Sequence, residues 1–157
     1  MLKPDCLFCK MVQGQVPCHK IWESDTHLAF LSIFPNTPGF TVVIPKDHHE
    51  SYAFGVEDQV LTDLVLATKQ VARLLDSYFD DVSRCGMFFE GYGIDHLHSK
   101  LFPMHGAGEF HEGKDIEVAK PTVFFHQYPG YLSSHDAARA DDTQLAELAA
   151  KIRASAV

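Results

Sequence analysis

Apolar residues recur at intervals of three and four between residues 57 and 79. They are Val60, Leu61, Leu64, Val65, Val71, Ala72, Leu75 and Phe79. Because an α-helix has ~3.6 residues per turn, this spacing places them on one face, and neither proline nor glycine interrupts the segment. The pattern therefore predicts one long amphipathic helix over residues 57–79.

A second helix is predicted near the C-terminus. Asp141 and Gln144 have the spacing of a capping box, in which the first side chain accepts a hydrogen bond from the backbone of the second. The apolar residues that follow are Leu145, Leu148, Ala149 and Ile152. Their helical spacing predicts a terminal amphipathic helix.

Shorter runs of apolar, aromatic and β-branched residues predict strands. In chain order, the predicted strands are 21–23, 27–33, 40–44, 84–90, 95–102 and 122–126. The first two flank Ser24-Asp25 and predict a hairpin, and Pro45 and Pro103 are expected to end the strands before them. Prolines and glycines predict a loop at 35–39, a tight turn at 91–93 and a long surface loop at 106–120. Strands around one long helix predict an α+β fold.

The composition favours a single domain over residues 1–157, since 46% of the residues are hydrophobic and can form a core. The formal net charge of −8 argues against a nucleic-acid-binding surface, which needs basic side chains. No stretch approaches the ~18 consecutive apolar residues of a membrane span, and the first residues do not resemble a secretory signal. We therefore expect a cytoplasmic protein without nucleic acid or membrane partners.

The candidate chemistry centres on the segment 95–105, DHLHSKLFPMH, in which His96, His98 and Lys100 stand at alternate positions. In a strand, side chains at alternate positions point to one face at intervals of ~6.5–7 Å, whereas a helix would send the two histidines to nearly opposite sides. The spacing therefore predicts three nitrogen-bearing side chains in a row on one strand face.

The residues of this row leave two interpretations open. An imidazole can attack phosphorus when its other ring nitrogen is held as a donor, and Lys100 would then offer positive charge to phosphate oxygens. Alternatively, His98 is a buried structural residue and Lys100 an exposed strand residue. Nearby, Glu90 is either a supporting hydrogen-bond acceptor or a strand-end charge, and Asp95 can be a solvated turn residue.

Cys6 and Cys9 form a CxxC motif, which is typical of a metal-binding knuckle, of a redox pair or of two buried thiols. The many histidines favour a metal, because tetrahedral zinc binds thiolate and imidazole ligands. His96 and either His48 or His49 would complete the site. Four protein ligands leave no open position for a substrate, so such a zinc would be structural.

Three motifs in this order resemble those of the histidine triad (HIT) superfamily of nucleotide hydrolases and transferases. CLFCKMVQGQVP at 6–17 is similar to its zinc knuckle, HLAFLSIFPNTPGFTVVIPKDH at 27–48 to its central hairpin and following loop, and HLHSK at 96–100 to its His-x-His-x-His signature. The resemblance implies an antiparallel sheet and a homodimer whose two sheets join. It also implies a domain core at about residues 4–104, followed by a C-terminal extension at 105–157.

Carried over by position, the resemblance makes His98 the nucleophile, which would form a covalent nucleotidyl intermediate that water then cleaves. It implies a zinc held by Cys6, Cys9, His48 and His96, and so prefers His48 over His49. The implied activity is cleavage of a phosphoanhydride, phosphoramidate or phosphoester bond to a nucleoside monophosphate.

The sequence departs from the family pattern around this site. Lys100 stands where the third histidine belongs, and Ser32 stands where many members have an aspartate that holds the ribose hydroxyls. Gly91-Tyr92-Gly93-Ile94 replaces the Gly-Gln-Ser-Val approach to the triad. We expect Ser32, Lys100 and the backbone at Gly91 and Gly93 to contact the substrate, although a charged amine cannot both donate and accept as a neutral imidazole does.

These departures leave two alternatives to an enzyme. One is a non-catalytic protein of the same fold that binds a nucleotide or another phosphate. The other is a zinc-stapled interaction domain in which the histidines are structural.

Overall fold

The computed structural model describes residues 2–106 and 137–155. The predicted strand at 122–126 and the predicted loop beyond Gly106 lie outside these residues. In chain order, the elements are α1 (Leu7–Val12), β1 (His19–Glu23), β2 (His27–Leu31), β3 (Thr41–Pro45), a 3₁₀ turn (Ala53–Gly55), α2 (Asp58–Tyr78), β4 (Val82–Phe88), β5 (Ser99–His105) and α3 (Asp142–Ala154). None of the helices in the two described ranges is both long and apolar enough to cross a membrane.

The five strands form one antiparallel sheet in the order β1-β2-β3-β5-β4. The predicted hairpin is confirmed as β1 and β2, and β3 pairs with β2 along its whole length. β5 pairs with β3 on one side and with β4 on the other. Since Val43 of β3 lies opposite Ser99, the residues that precede Ser99 lie beside the end of β3. This topology confirms the α+β class.

The two faces of the sheet carry different helices. α2 and α3 cover one face, where Leu75 and Ile152 belong to a core that also contains Val43 and Leu101. α1 covers part of the opposite face, where the ring of Phe8 lies 5.4 Å from that of Phe30. The face covered by α2 and α3 is the back of the sheet, and the face covered by α1 is its front, or thin side. The candidate functional residues lie on the thin side.

The long helix is confirmed as α2, within one residue of the predicted bounds at each end. Its buried positions follow the helical period and are Leu64, Ala67, Thr68, Val71, Leu74 and Leu75. The terminal helix is confirmed as α3, in which the Asp141 side chain accepts a hydrogen bond from the Gln144 backbone. The CxxC motif begins a short helix, α1, that the apolar pattern did not predict.

The predicted strand at 95–102 was wrong in its bounds. β5 begins at Ser99 and continues to His105, so His96 and His98 precede the strand, and Pro103 lies inside it. Pro103 is tolerated because the ladder with β3 ends at Leu101 and β4 is irregular between Val82 and Cys85. The bounds of β1, β2, β3 and β4 differ from the prediction by no more than two residues at either end.

Candidate functional site

Four side chains from three separate parts of the chain meet at the start of α1, and we call them the metal cluster. They are Cys6, Cys9, His48 and His96, and their ligand atoms all lie within 4.8 Å of one another. The Nδ1 of His96 lies 3.4 Å from the Cys6 Sγ and 3.6 Å from the Cys9 Sγ, and the Nδ1 of His48 lies 3.6 Å from the Cys9 Sγ. A zinc ion with bonds of ~2.0–2.3 Å in tetrahedral geometry needs ligand atoms about 3.3–3.8 Å apart.

The orientation of His96 also fits metal binding. Its Nε2–H donates a hydrogen bond of 2.9 Å to the Pro45 carbonyl, so the lone pair is on Nδ1, which faces the two thiols. Burial lowers the pKa of His96 to about 4 and so favours the neutral imidazole that a metal requires. The donor set, the spacing and the tautomer therefore fit a metal ion, and the choice of His48 over His49 agrees with the geometry.

Hydrogen bonds fasten the same region independently of a metal. Asp95 accepts hydrogen bonds from the Lys3 Nζ at 3.0 Å and from the Ser51 backbone N–H at 3.1 Å. The Leu97 N–H donates to the His49 carbonyl at 2.9 Å. The amino terminus and the segment after β3 are thus fixed to the residues that precede β5.

His98 lies on the thin side of the sheet, next to the metal cluster, and is 3% exposed. Its Nδ1 lies 2.6 Å from the backbone carbonyl of His96, and because a carbonyl only accepts, Nδ1 carries the proton. The lone pair is therefore on Nε2. Burial, with a further contribution from the positive charge of Lys100, lowers the pKa of His98 and favours this neutral form. A neutral imidazole with a fixed tautomer is the form that a nucleophile needs.

Lys100 is on the same side of the sheet, because it lies opposite Val42 of β3 and Phe88 of β4. Its Nζ lies 2.9 Å from a carboxylate oxygen of Glu90 and 5.6 Å from the centre of the Phe88 ring. The side chains of Lys100 and Glu90 are only 10% and 5% exposed. We call His98, Lys100 and Glu90 the reaction cluster.

The other residues predicted to contact the substrate, Ser32, Gly91 and Gly93, lie in different surroundings. Ser32 is buried, and its Oγ accepts a hydrogen bond of 3.2 Å from the Phe34 N–H. Gly91 has a φ of +64°, and a Cβ there would lie 2.6 Å from the Ser51 carbonyl oxygen, so the position needs glycine. A Cβ at Gly93 would have nothing within 4 Å. Substrate contact at Ser32, Gly91 and Gly93 stays a prediction.

Sequence reasoning missed one contributor to the site, Phe8, and the partner of another, Glu90. The Phe8 ring lies edge-on to both histidines, 5.7 Å from that of His96 and 5.5 Å from that of His98. The position of Phe8 between Cys6 and Cys9 is the sequence feature that could have indicated this role. Glu90 was named without a partner, and its pairing with Lys100 depends on the register of β4 with β5, which the sequence does not reveal.

Comparison with known proteins connects this arrangement with one family. The model of the HIT domain matches residues 13–106. An uncharacterised HIT-like protein of Methanocaldococcus jannaschii is 32% identical over 120 residues, which are 72% of this chain and 92% of that protein. An adenosine 5'-monophosphoramidase of Schizosaccharomyces pombe is 32% identical over 102 residues, covering 62% of this chain and 73% of that enzyme.

A solved structure extends the likeness to the fold. The zinc-bound histidine triad family protein of Mycobacterium smegmatis superimposes with a TM-score of 0.66 at 20% identity, covering 96% of this chain and 92% of that one. At this identity the match supports the fold alone. Together with the family model, which spans more than half of the sequence, these relatives show that the chain belongs to the HIT domain family.

Proposed function

We propose that the protein is a nucleotide hydrolase or nucleotidyl transferase that works through a covalent intermediate on His98. The observation that carries the proposal is the orientation of His98, whose Nδ1–H is bound to the His96 carbonyl while Nε2 keeps its lone pair. The identity of 32% with an enzyme named adenosine 5'-monophosphoramidase supports a nucleoside phosphoramidate as one substrate to try.

In the first step, the lone pair of the His98 Nε2 attacks the phosphorus of the nucleoside monophosphate group. A P–Nε2 bond forms, the bond to the leaving group breaks, and the leaving group departs with the electron pair and takes up a proton. The ring of His98 then carries a positive charge, which the His96 carbonyl stabilises through the Nδ1–H. The ammonium of Lys100 would stabilise the negative charge that develops on the phosphoryl oxygens.

In the second step, water attacks the same phosphorus and loses a proton. The P–Nε2 bond breaks, its electron pair returns to the imidazole, and the nucleoside monophosphate is released. We assign Ser32 and the backbone amides near Gly91 and Gly93 to substrate binding, because they stand at the positions where the family pattern has substrate-contacting groups. The resemblance also makes a homodimer part of the proposal.

We propose that the metal is one structural zinc, held by Cys6, Cys9, His48 and His96. The donor set of two thiols and two imidazoles supports zinc, and four protein ligands leave no position at which a substrate could bind the ion. When bound, zinc would crosslink α1 to the residues before β5. Metal analysis of protein purified without chelator is expected to give one zinc per chain, and a metal-free protein would contradict the proposal.

The function is tested by trapping the intermediate. Wild-type protein mixed briefly with adenosine 5'-phosphoramidate and quenched is expected to gain one covalently bound nucleoside monophosphate, measured by intact mass. His98→Asn should abolish the adduct. His105→Asn, which changes a histidine of β5 that binds Asp81 and Pro38, should keep it. Full turnover by His98→Asn would overturn the assignment, and binding of AMP without any adduct would favour the non-catalytic alternative.

A further inference from the structure

The ion pair of Lys100 with Glu90 is unusual for its burial. Charged side chains are rarely buried unless they are paired, because removing an ion from water costs free energy that only a partner can offset. Here the two charged groups are 2.9 Å apart, and the Lys100 side chain is 10% exposed. Val42 and Phe88, the strand neighbours of Lys100, are apolar. Among the residues that the structure describes, the carboxylate of Glu90 is the group that forms an ion pair with the ammonium.

The backbone around Glu90 is held in place from the other side. Gly91 follows it and packs so closely on Ser51 that no side chain fits between them. Ser51 is in turn bound to Asp95, beside His96 of the metal cluster. Glu90 therefore stands on a fixed stretch of chain between the end of β4 and the metal cluster, with its carboxylate directed to Lys100.

Resting on the proposed function, we propose that Glu90 is a positioning residue that holds the Lys100 ammonium in place beside His98. The residue at position 100 then supplies its positive charge only in combination with residue 90. A histidine at position 100 would need no such partner, because a neutral imidazole can be buried without a counter-charge. Two side chains, Glu90 and Lys100, would thus take the place of the one histidine that the family resemblance implies at position 100.

Two roles of Glu90 predict opposite kinetics. If Glu90 positions Lys100, the isosteric Glu90→Gln removes the negative charge that is paired with the buried lysine, and the lysine side chain loses its fixed position. We then expect kcat to fall at least about tenfold, as when one preorganised donor is removed from an active site. If Glu90 instead competes with the phosphate for Lys100, Glu90→Gln lowers KM and leaves kcat unchanged, and this result would overturn the proposal.

The decisive experiment measures kcat and KM for adenosine 5'-phosphoramidate in wild type, Glu90→Gln, Lys100→His and the double variant. Glu90→Gln is expected to lower kcat in the wild-type background and to change it less than about twofold in the Lys100→His background, since coupled residues are not additive. Equal losses in both backgrounds would overturn the proposal. Glu23→Gln is the control for the loss of a lysine-paired carboxylate outside the reaction cluster, since Glu23 of β1 pairs with Lys20 and Lys46, and it should leave kcat and KM unchanged.

Thermal unfolding gives a second measurement that does not depend on activity. Glu90→Gln and Lys100→Met should each lower Tm, and the double variant should lower it by less than the sum, because it leaves no buried charge unpaired. Additive Tm changes would overturn the pairing. A wild type without turnover on any nucleotide overturns the proposed function and the role of Glu90 with it, whereas an active wild type with uncoupled variants overturns this inference alone.

Discussion

The metal cluster and the reaction cluster adjoin each other, because His96 belongs to one and His98 to the other. In the metal cluster, all four residues match those that the family resemblance implies, and their ligand atoms converge within 4.8 Å. In the reaction cluster, His98 alone matches the pattern. Lys100 departs from it, and its charge is compensated by Glu90.

The difference separates the residues that join parts of the fold from the residues to which we assign the chemistry. The metal cluster joins α1, the end of β3 and the approach to β5, so a change there would disturb three parts of the chain at once. The reaction cluster lies on the front of the sheet, where Glu90 is paired with the charge of Lys100 locally. We therefore expect a lysine to fit at position 100, where the resemblance implies a histidine, without a change of fold.

The largest expected effect separates the two clusters most sharply. His98→Asn should lower kcat/KM for adenosine 5'-phosphoramidate at least about 10³-fold, as loss of a nucleophile does in other covalent enzymes. Metal content should equal that of the wild type, since the asparagine changes no ligand atom. Steady-state kinetics with metal analysis on the same preparation checks both. Loss of the metal in this variant would mean that the clusters are one unit.

The second effect concerns stability. A strong chelator or Cys9→Ser should remove the metal and lower Tm by about 8–16 °C, which corresponds to the ~4 kcal/mol gained from a ligand present at a thousand times its Kd. Differential scanning calorimetry with metal analysis measures this. Cys18→Ser is the control, because Cys18 lies outside the metal cluster and should keep both metal and Tm. An unchanged Tm after chelation would show that the cluster does not stabilise the fold.

The sequence predicted the elements whose signal is local. α2 follows from its apolar period, and the CxxC motif with its histidines pointed to the metal cluster. The alternation of His96, His98 and Lys100 predicts a strand, but β5 begins only at Ser99. The two histidines before it have other contacts: the His98 side chain binds the His96 backbone, and His96 faces the thiols. Pairing of Lys100 with Glu90 could not be predicted, since it depends on strand register. Long-range contacts of this kind leave no period in the sequence.

A third, smaller effect tests the close contact of Gly91 with Ser51, which links the backbone next to Glu90 to the region of the metal cluster. Gly91→Ala introduces a Cβ 2.6 Å from the Ser51 carbonyl and places alanine at a φ of +64°, so we expect a loss of about 1–3 kcal/mol in the free energy of unfolding. Gly93→Ala is the matched control for stability, because its Cβ would meet no neighbour within 4 Å. Urea unfolding measures both variants, and equal losses would contradict the role of the close contact.

The smallest expected effect decides whether the metal or an ion pair fixes the amino terminus. Lys3 binds Asp95 at 3.0 Å, but both side chains are more than half exposed, and exposed pairs contribute little because water and salt screen them. Lys3→Met should therefore lower Tm by at most about 2 °C at low salt and leave the metal content unchanged. The difference should vanish at high salt, where the wild-type pair is screened as well. A larger decrease that persists in salt would mean that Lys3, rather than the metal cluster, holds the amino terminus. Asp95, which binds both Lys3 and Ser51, would then be the residue that fixes this region.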